Sequence, residues 1–345
     1  MKTIHVKASR SYDVIIGNEL LNNIGEYLLP VLKKNCKVAI ISDSNVYPLY
    51  GERLTNALYA VGFNVISYTF PAGEASKNSA VYLEILNFLA ENQITRSDAV
   101  FALGGGVTGD MTGFAAATYL RGIAYIQIPT TLLAMVDSSV GGKTAIDLPA
   151  GKNLVGAFYQ PRLVLCDLDC LNTLPQAVFS DGCAEVIKYG VLYDAELFFH
   201  LSERGLGFDR ESVVSRCVEL KRNVVAEDEF DTAARQKLNL GHTIGHGIEA
   251  QSNFTITHGQ AVAIGMAIVA KAGCKSIYGT LKEVIEKFNL PTETNFSAKQ
   301  LYTSALSDKK RAGGTVNLII PKAIGDCNIV PTPVEHLESF IAEGL

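Results

Sequence analysis

The chain has 345 residues, 48% of them hydrophobic and 19% charged, enough for two domains with well-filled cores. A formal charge of −5 and an isoelectric point near 5.7 give no general basic footprint, and no local basic patch replaces it, so nucleic acid and anionic membrane are excluded as partners. The longest apolar run, 261–270, is far short of the roughly 20 residues that cross a bilayer, the N-terminus carries no signal-peptide pattern, and the seven scattered cysteines lack a C-x-x-C pair; a cytoplasmic protein with reduced thiols is expected.

TIHVKA and YDVIIG predict an antiparallel hairpin at the start of the chain. KVAIIS (37–42), NVISYTF (64–70), DAVFALG (98–104), IAYIQIP (123–129) and RLVLCDL (162–168) read as strands, and helical spacing falls at 46–61, at 77–92 and after Asp110. This alternation predicts an α/β fold, a Rossmann-like, doubly wound, mostly parallel sheet over residues 1–174. From 175 to 345 the segments 176–191, 195–203, 210–228, 233–251 and 258–278 have helical spacing, predicting an all-helical second domain. One late ribbon, TVNLIIPKAIGDCNIV, is the exception, with its turn near Ala323 to Asp326.

LGGGVTGDMTGF sets three glycines between a strand and a helix, where backbone amides and a helix N-terminus can approach a pyrophosphate. The spacing departs from G-x-G-x-x-G, and a tight glycine turn would look the same. Two further strand ends support a nucleotide: Asp43 and Asn45 follow the first parallel strand, and Glu74 and Lys77 the second. Thr130 and Thr131 in PTT extend the same edge. DSSVGGKT is not a P-loop, because no glycine stands four residues ahead of its GK pair. Its Asp137 and Lys143, with Lys152 and Asn153 in AGKNLVG, still offer groups suited to a phosphate or to sugar hydroxyls; solvated surface lysine is the plain alternative.

In RQKLNLGHTIGHGIE, Arg235, Asn239, His242, His246 and Glu249 advance by four, three, four and three residues, the spacing of one helix face. Apolar or tiny residues flank that stripe, so the helix is expected to be buried and to line a cavity, since an unpaired polar group loses roughly 2–7 kcal/mol on leaving water. His242 and His246 are spaced like two imidazole ligands, His258 could complete a metal site, and Glu249 and Glu185 both qualify as its carboxylate. Glu185 and Lys188 share a helix face and read either as ligand plus cation or as a plain intrahelical ion pair. Lys221 precedes the acids Glu227, Asp228, Glu229 and Asp231, which read as a solvated loop.

Together, GGGVTGDMTGF, PTTLLAMVDSSVGGKTAID, GKNLVGAFYQP, DLDCLNTLP, AEVIKYG, KRNVVAEDE and LNLGHTIGHGIEA followed by HGQAVAIGM resemble the 3-dehydroquinate synthase family of sugar phosphate cyclases. The resemblance runs in order from about residue 43 to 311. It implies an NAD- and metal-dependent phosphate lyase of the shikimate pathway, usually a homodimer, acting on 3-deoxy-D-arabino-heptulosonate 7-phosphate. By the same resemblance the ligands of a zinc or cobalt ion are Glu185, His242 and His258, which replaces the His242/His246 pairing and leaves His246 to proton transfer or substrate. Substrate positions are Asp137, Lys143, Asn153, Lys188, Lys221, Arg235, Asn239, Arg121 from across the dimer, and Lys310 in preference to Lys309. NAD positions are Asp43, Asn45, Glu74, Lys77, Gly105, Gly106, Val107, Asp110, Thr130, Thr131, Lys143, Lys152 and Thr173. A cyclase making an inosose or valiolone would differ mainly in its carboxylate-binding residues, a metal-dependent polyol dehydrogenase would have aspartate at Glu185, and a non-catalytic nucleotide binder would not need the metal and lysine set.

Overall fold

The computed structural model describes residues 1–253, 255–309 and 314–345, and it divides into two compact units. The first comprises Met1–Leu174 and Arg210–Phe230. Its strands are β1 (Lys2–Val6), β2 (Tyr12–Gly17), β3 (Lys37–Asp43), β4 (Asn64–Phe70), β5 (Ala99–Gly104), β6 (Ala124–Pro129), β7 (Lys143–Leu148), β8 (Gly151–Phe158) and β9 (Leu163–Asp167). Between them run α1 (Ile24–Leu28), α2 (Tyr47–Ala60), α3 (Ser79–Glu91) and α4 (Gly106–Thr118). Seven strands form one sheet in the order β1-β2-β9-β6-β5-β3-β4, parallel except for the β1–β2 hairpin. β5, β6 and β9 are buried along their whole length, as strands covered on both faces must be, which is why they read as unbroken apolar runs. Winding goes from β3 outward to β4 and then returns to β5 on the other side of β3, so the strand order reverses between β3 and β5. A ligand crevice belongs outside the C-terminal ends of those two strands.

The β7–β8 ribbon is a feature the sequence reading missed. Gly141 and Gly142, at φ +94° and +68°, turn the chain out of the preceding helical turn and into β7. The ribbon lies on α4, where a Cβ at Gly113 would run into Thr144 and Tyr125.

The second unit comprises Pro175–Asp209 and Asp231–Leu345. It contains α5 (Gln176–Tyr193), α6 (Ala195–Arg204), α8 (His242–Gln251), α9 (His258–Gly273), α10 (Lys275–Lys287), α11 (Ala298–Lys309), α12 (Val334–Gly344) and the antiparallel ribbon β10 (Thr315–Ala323) with β11 (Asp326–Pro333). α9 is buried without a break from Ala261 to Ala270 and packs against α5, α8, α10 and α12, as a helix apolar on every side does.

Two expectations need correction. α7 (Arg210–Glu227) does not belong with the helical half: its buried Val213, Val214, Cys217, Val218, Leu220, Val224 and Val225 pack it on β1, β2 and the turn at 134–138 of the first unit. Helical spacing shows that a helix has an apolar face and says nothing about which layer covers it. The contiguous 1–174 and 175–345 division is therefore interrupted at 210–230. Nor is 233–251 one helix. Ala234–Asn239 is a 3-10 turn, and Gly241 at φ +77° separates it from α8. A Cβ at Gly241 would stand 2.6 Å from the Val262 carbonyl oxygen, and one at Gly265 would overlap the Gly241 carbonyl, so the entry to α8 lies backbone to backbone on α9.

Candidate functional site

In the first unit the predicted nucleotide residues gather along the C-terminal edge of the sheet. Asp43 ends β3; its Oδ1 accepts the amides of Asn45 (2.9 Å) and Val46 (3.0 Å), which tightens the turn into α2, and its Oδ2 accepts Thr108 Oγ1 at 3.3 Å. That last bond joins β3 to α4 across the strand-order reversal. α4 begins at Gly106, with Gly105 as its N-cap, earlier than the sequence reading placed it. Val107 therefore stands in its first turn and Asp110 in its second. Glycine is required here by close approach: a Cβ at Gly104 would strike Thr108, and one at Gly105 would be 3.1 Å from Thr131 Cγ2. The Thr130 amide donates to the Gly104 carbonyl at 3.0 Å, while its buried hydroxyl has no partner among the described residues.

A second polar group of the same unit joins the loop after β4 to α4 and the β7–β8 ribbon. Lys77, 5% exposed, donates to Asp110 Oδ2 at 2.7 Å and to Asn153 Oδ1 at 2.6 Å. Burial works against its charge, yet Asp110 and Glu74 outweigh burial and raise its pKa; burial raises that of Asp110. Asn153 sits at φ +56° and donates its amide to Asp147, and Lys152 stands 3.5 Å from Glu74. Lys77 is thus a fixed internal cation rather than a solvated lysine. Thr173 bonds to the hydroxyl of Tyr50 on α2, the helix that follows Asp43 and Asn45.

The remaining first-unit candidates are placed as follows. Lys221, on α7 and buried, donates to the carbonyl and Oδ1 of Asp137 at 2.6 and 2.7 Å. Lys143 opens β7 with its side chain exposed. Arg121 is exposed on a strained loop in which Leu120 and Arg121 take φ +50° and +64°. The acidic run after α7 is not simply solvated: Glu229 accepts Ser9 N, Ser9 Oγ and Gln160 Nε2 within 2.8 Å, and Asp228 is buried.

In the second unit three helices deliver a compact cluster. Glu185 lies in mid-α5, fully buried, while His242 and His258 are the first residues of α8 and α9. One ligand atom from each falls within 4.8 Å of the others. His258 Nε2 and His242 Nε2 stand 3.2 and 3.4 Å from Glu185 Oε1. His242 Nδ1 is 3.0 Å from the Leu240 carbonyl, an acceptor that requires the proton on Nδ1 and leaves the Nε2 lone pair facing Glu185. Lys188, 2% exposed, pairs with Glu185 Oε2, so this contact is a buried ion pair and not the surface pair that i, i+3 spacing allows.

Burial, then Lys188, drives the His242 pKa down to about 4. At His258 burial acts the same way but is overcome by hydrogen bonds to Glu185 and to Glu249, which hold it up at about 10. Against its burial, Glu185 is held well below the usual carboxylate range by Lys188 and His242. Burial thus favours the neutral form of His242, while the two carboxylates beside His258 favour its charged form. The donor set fits a divalent cation: one carboxylate and two imidazoles, with the remaining coordination positions left for substrate or water.

Glu249, left open between ligand and structural residue, is buried, with Oε2 3.4 Å from His258 Nδ1. It faces the ring nitrogen opposite the one that meets Glu185. His246 is exposed, its ring 5.6 Å from that of His242 and 6.4 Å from that of His258, and with Glu249 and His258 it forms a second cluster of the same size. Arg235 and Asn239 occupy the 3-10 turn, Arg235 with a buried guanidinium. Lys309 is the last residue of α11, and Lys310 lies outside the described residues.

A model for the 3-dehydroquinate synthase N-terminal region matches residues 67–181, and one for the C-terminal region matches 182–311. The 3-dehydroquinate synthase of Clostridium acetobutylicum is 44% identical over 99% of this chain and 98% of its own, and that of Picosynechococcus sp. 45% identical over 92% and 91%. The chain belongs to the 3-dehydroquinate synthase family. Among solved structures, a 2-deoxy-scyllo-inosose synthase complexed with carbaglucose-6-phosphate, NAD+ and Co2+ aligns over the whole of both chains with a TM-score of 0.89 at 26% identity. A 2-epi-5-epi-valiolone synthase from Streptomyces hygroscopicus, with NAD+ and Zn2+ bound, gives 0.88 at 27% over 99% of this chain and 98% of its own. The sheet followed by a helical metal-cluster domain is thus the fold of the wider cyclase group, and the identity levels separate 3-dehydroquinate synthases from the other cyclases. Sequence reasoning on this family member missed Asp181, which bonds to the first turn of α9 beside His258. The available signal was its position four residues before Glu185 on the same helix face.

Proposed function

We propose that this family member converts 3-deoxy-D-arabino-heptulosonate 7-phosphate into 3-dehydroquinate and inorganic phosphate, within the shikimate pathway, in the cytoplasm and as a homodimer. The observation that carries the reading is the convergence of Glu185, His242 and His258, three ligand atoms within 4.8 Å drawn from three helices. We assign these residues to a divalent cation, zinc or cobalt, and the C-terminal edge of the first unit's sheet to NAD. When bound, the cation supplies Lewis acidity toward a ring hydroxyl and NAD supplies reversible acceptance of a hydride.

The chain's own groups do the rest. The α4 N-terminus with Gly105, Gly106 and Val107 faces the pyrophosphate, Asp43 and Asn45 hold a ribose, and Thr130, Thr131, Thr173, Glu74, Lys77, Asp110, Lys143 and Lys152 complete the cofactor's polar surround. By the family resemblance we assign Lys143 and Lys221 of the first unit, Lys188 and Arg235 of the second, and Lys310 to the carboxylate and phosphate of the substrate. Asp137, Asn153, Asn239 and the Arg121 of a second copy orient its hydroxyls. His246 exchanges protons with the substrate. Buried Lys188 keeps Glu185 anionic, and the Leu240 carbonyl turns the His242 Nε2 lone pair toward the cluster, so these two of the three ligands need lose no proton to bind a cation.

The test is to mix protein, NAD, zinc and the heptulosonate phosphate and to follow phosphate and NADH together. Phosphate is released with no net NADH. Steadily accumulating NADH would mean a dehydrogenase, and turnover of glucose 6-phosphate in place of the heptulosonate would mean one of the other cyclases.

A further inference from the structure

Asp181 stands on α5 one turn before Glu185, yet its carboxylate serves α9. Its Oδ1 accepts the hydroxyl of Thr257, the N-cap of α9, and the backbone N–H of Gln260 at 3.1 Å, and the Gly259 amide bonds to the same carboxylate. The residue before His258 and the two after it are thus tied to one side chain of the helix that carries Glu185. The approach is backbone-close: a Cβ at Gly259 would overlap the Asp181 carbonyl oxygen. The Gln260 side chain accepts the Thr257 N–H at 3.2 Å, and Asp181 takes the first-turn amides of Gly259 and Gln260 that this bond leaves over. Asp181 adds a link between helices. Nor is it one of the clustered ligand residues, its carboxylate being committed to α9.

We propose that Asp181 is a positioning residue for the metal site: by holding the first turn of α9 on α5 it sets the spacing between Glu185 and His258, and with it the affinity for the cation. This rests on the assignment of Glu185, His242 and His258 as ligands. Asp181 fixes where the His258 backbone stands, while Glu249 fixes how its ring is turned. A group bonded directly to a ligand is worth about 10- to 100-fold in metal affinity, and Asp181, acting through the backbone on either side of His258, is expected at the lower end of that range.

The experiment is Zn2+ titration of the full-length protein, stripped of metal, against a chromophoric chelator, with NAD affinity measured alongside. Asp181→Ala weakens Zn2+ binding about 10-fold, the lower end of that range, and leaves NAD affinity unchanged. Asp181→Asn, which keeps an oxygen for the same amides, recovers most of the loss. Unchanged Zn2+ binding in Asp181→Ala, or an Asp181→Asn as weak as the alanine variant, overturns the proposal. Should Asp181→Ala fail to fold, Thr257→Val carries the test: it removes one bond of the link, and an unaltered Zn2+ affinity there overturns the proposal as well. A wild-type protein that takes up no Zn2+, or an Asp181→Ala protein whose only loss is in NAD affinity, fails differently, the first by removing the ligand assignment itself and the second by relocating the role of Asp181.

Discussion

In the first unit three of the nucleotide candidates stand where strands end, and the backbone organises them: Asp43 is held by two amides, Gly105 caps α4, and Thr130 is hung from Gly104. The metal cluster of the second unit is built on helices instead. Two helix-initial histidines meet a carboxylate from the middle of a third helix, and the groups around them, Lys188, Glu249 and Asp181, are side chains of those same helices or their neighbours. An edge built from backbone tolerates the loss of one side chain, whereas a cluster built from helix register does not, because every member depends on the placement of all three helices.

The largest test of this contrast removes a member of the cluster. His242→Ala takes away a ligand rather than a support, so bound zinc, measured by elemental analysis after gel filtration, falls by more than the roughly 10- to 100-fold that supports contribute, and turnover falls to background. His246→Ala keeps its zinc and loses rate. The reverse pattern would mean that His246, which with Glu249 and His258 forms the second cluster, holds the ion.

Next comes the register itself. Gly241→Ala puts a Cβ 2.6 Å from the Val262 carbonyl at φ +77°. The left-handed backbone costs roughly 1–2 kcal/mol and overpacking about 1–3 kcal/mol. Urea unfolding reads the lower stability, and the zinc titration reads a weaker site, since α8 starts at the adjacent His242. Stability lost with zinc affinity intact would show that the cluster adapts to a shift of α8, and the contrast would then fail.

The same difference explains what could be read from the sequence. The five parallel strands after the hairpin fall within a residue or so of their predicted bounds, because apolar runs bracketed by glycine and polar turns are local signals, and Asp43, Gly105 and Thr130 are marked by where those runs stop. The β7–β8 ribbon was missed because short strands beside a glycine loop carry no long periodicity. The polar stripe from Arg235 to Glu249 has helical spacing over its whole length, yet Gly241 breaks the helix, for a reason in the contact with α9 that no local pattern contains. Spacing alone paired His242 with His246. The nearer partners of His242, Glu185 and His258, are remote in sequence; the residues offered both only as candidates beside His246 and Glu249, and resemblance to a family selected them before the fold did.

A smaller effect probes the backbone-held edge. Asp43→Ala removes the acceptor of two turn amides, costing about 1 kcal/mol of stability in the manner of a lost helix cap. Calorimetry with NAD reads roughly a 2- to 10-fold weaker Kd if one net hydrogen bond of about 0.5–1.5 kcal/mol to the ribose goes with it. A loss far larger than that would show that this edge, like the metal cluster, hangs on one side chain.

The smallest concerns Lys152. Its 3.5 Å pair with Glu74 is partly exposed, and such pairs contribute about 0–1 kcal/mol, so Lys152→Ala leaves the thermal midpoint almost unmoved. Any change must then appear in NAD affinity alone, and it should shrink as salt is raised, because a half-solvated ammonium acting on a nucleotide is screened within about 8–10 Å at physiological ionic strength. Lys77 makes the paired control. Buried between Asp110 and Asn153, it acts through fixed contacts, so the NAD affinity of Lys77→Met falls by a factor that salt does not alter. Equal salt sensitivity in the two variants would mean that both lysines act by charge at a distance and that the first unit's edge is less rigid than its bonding implies.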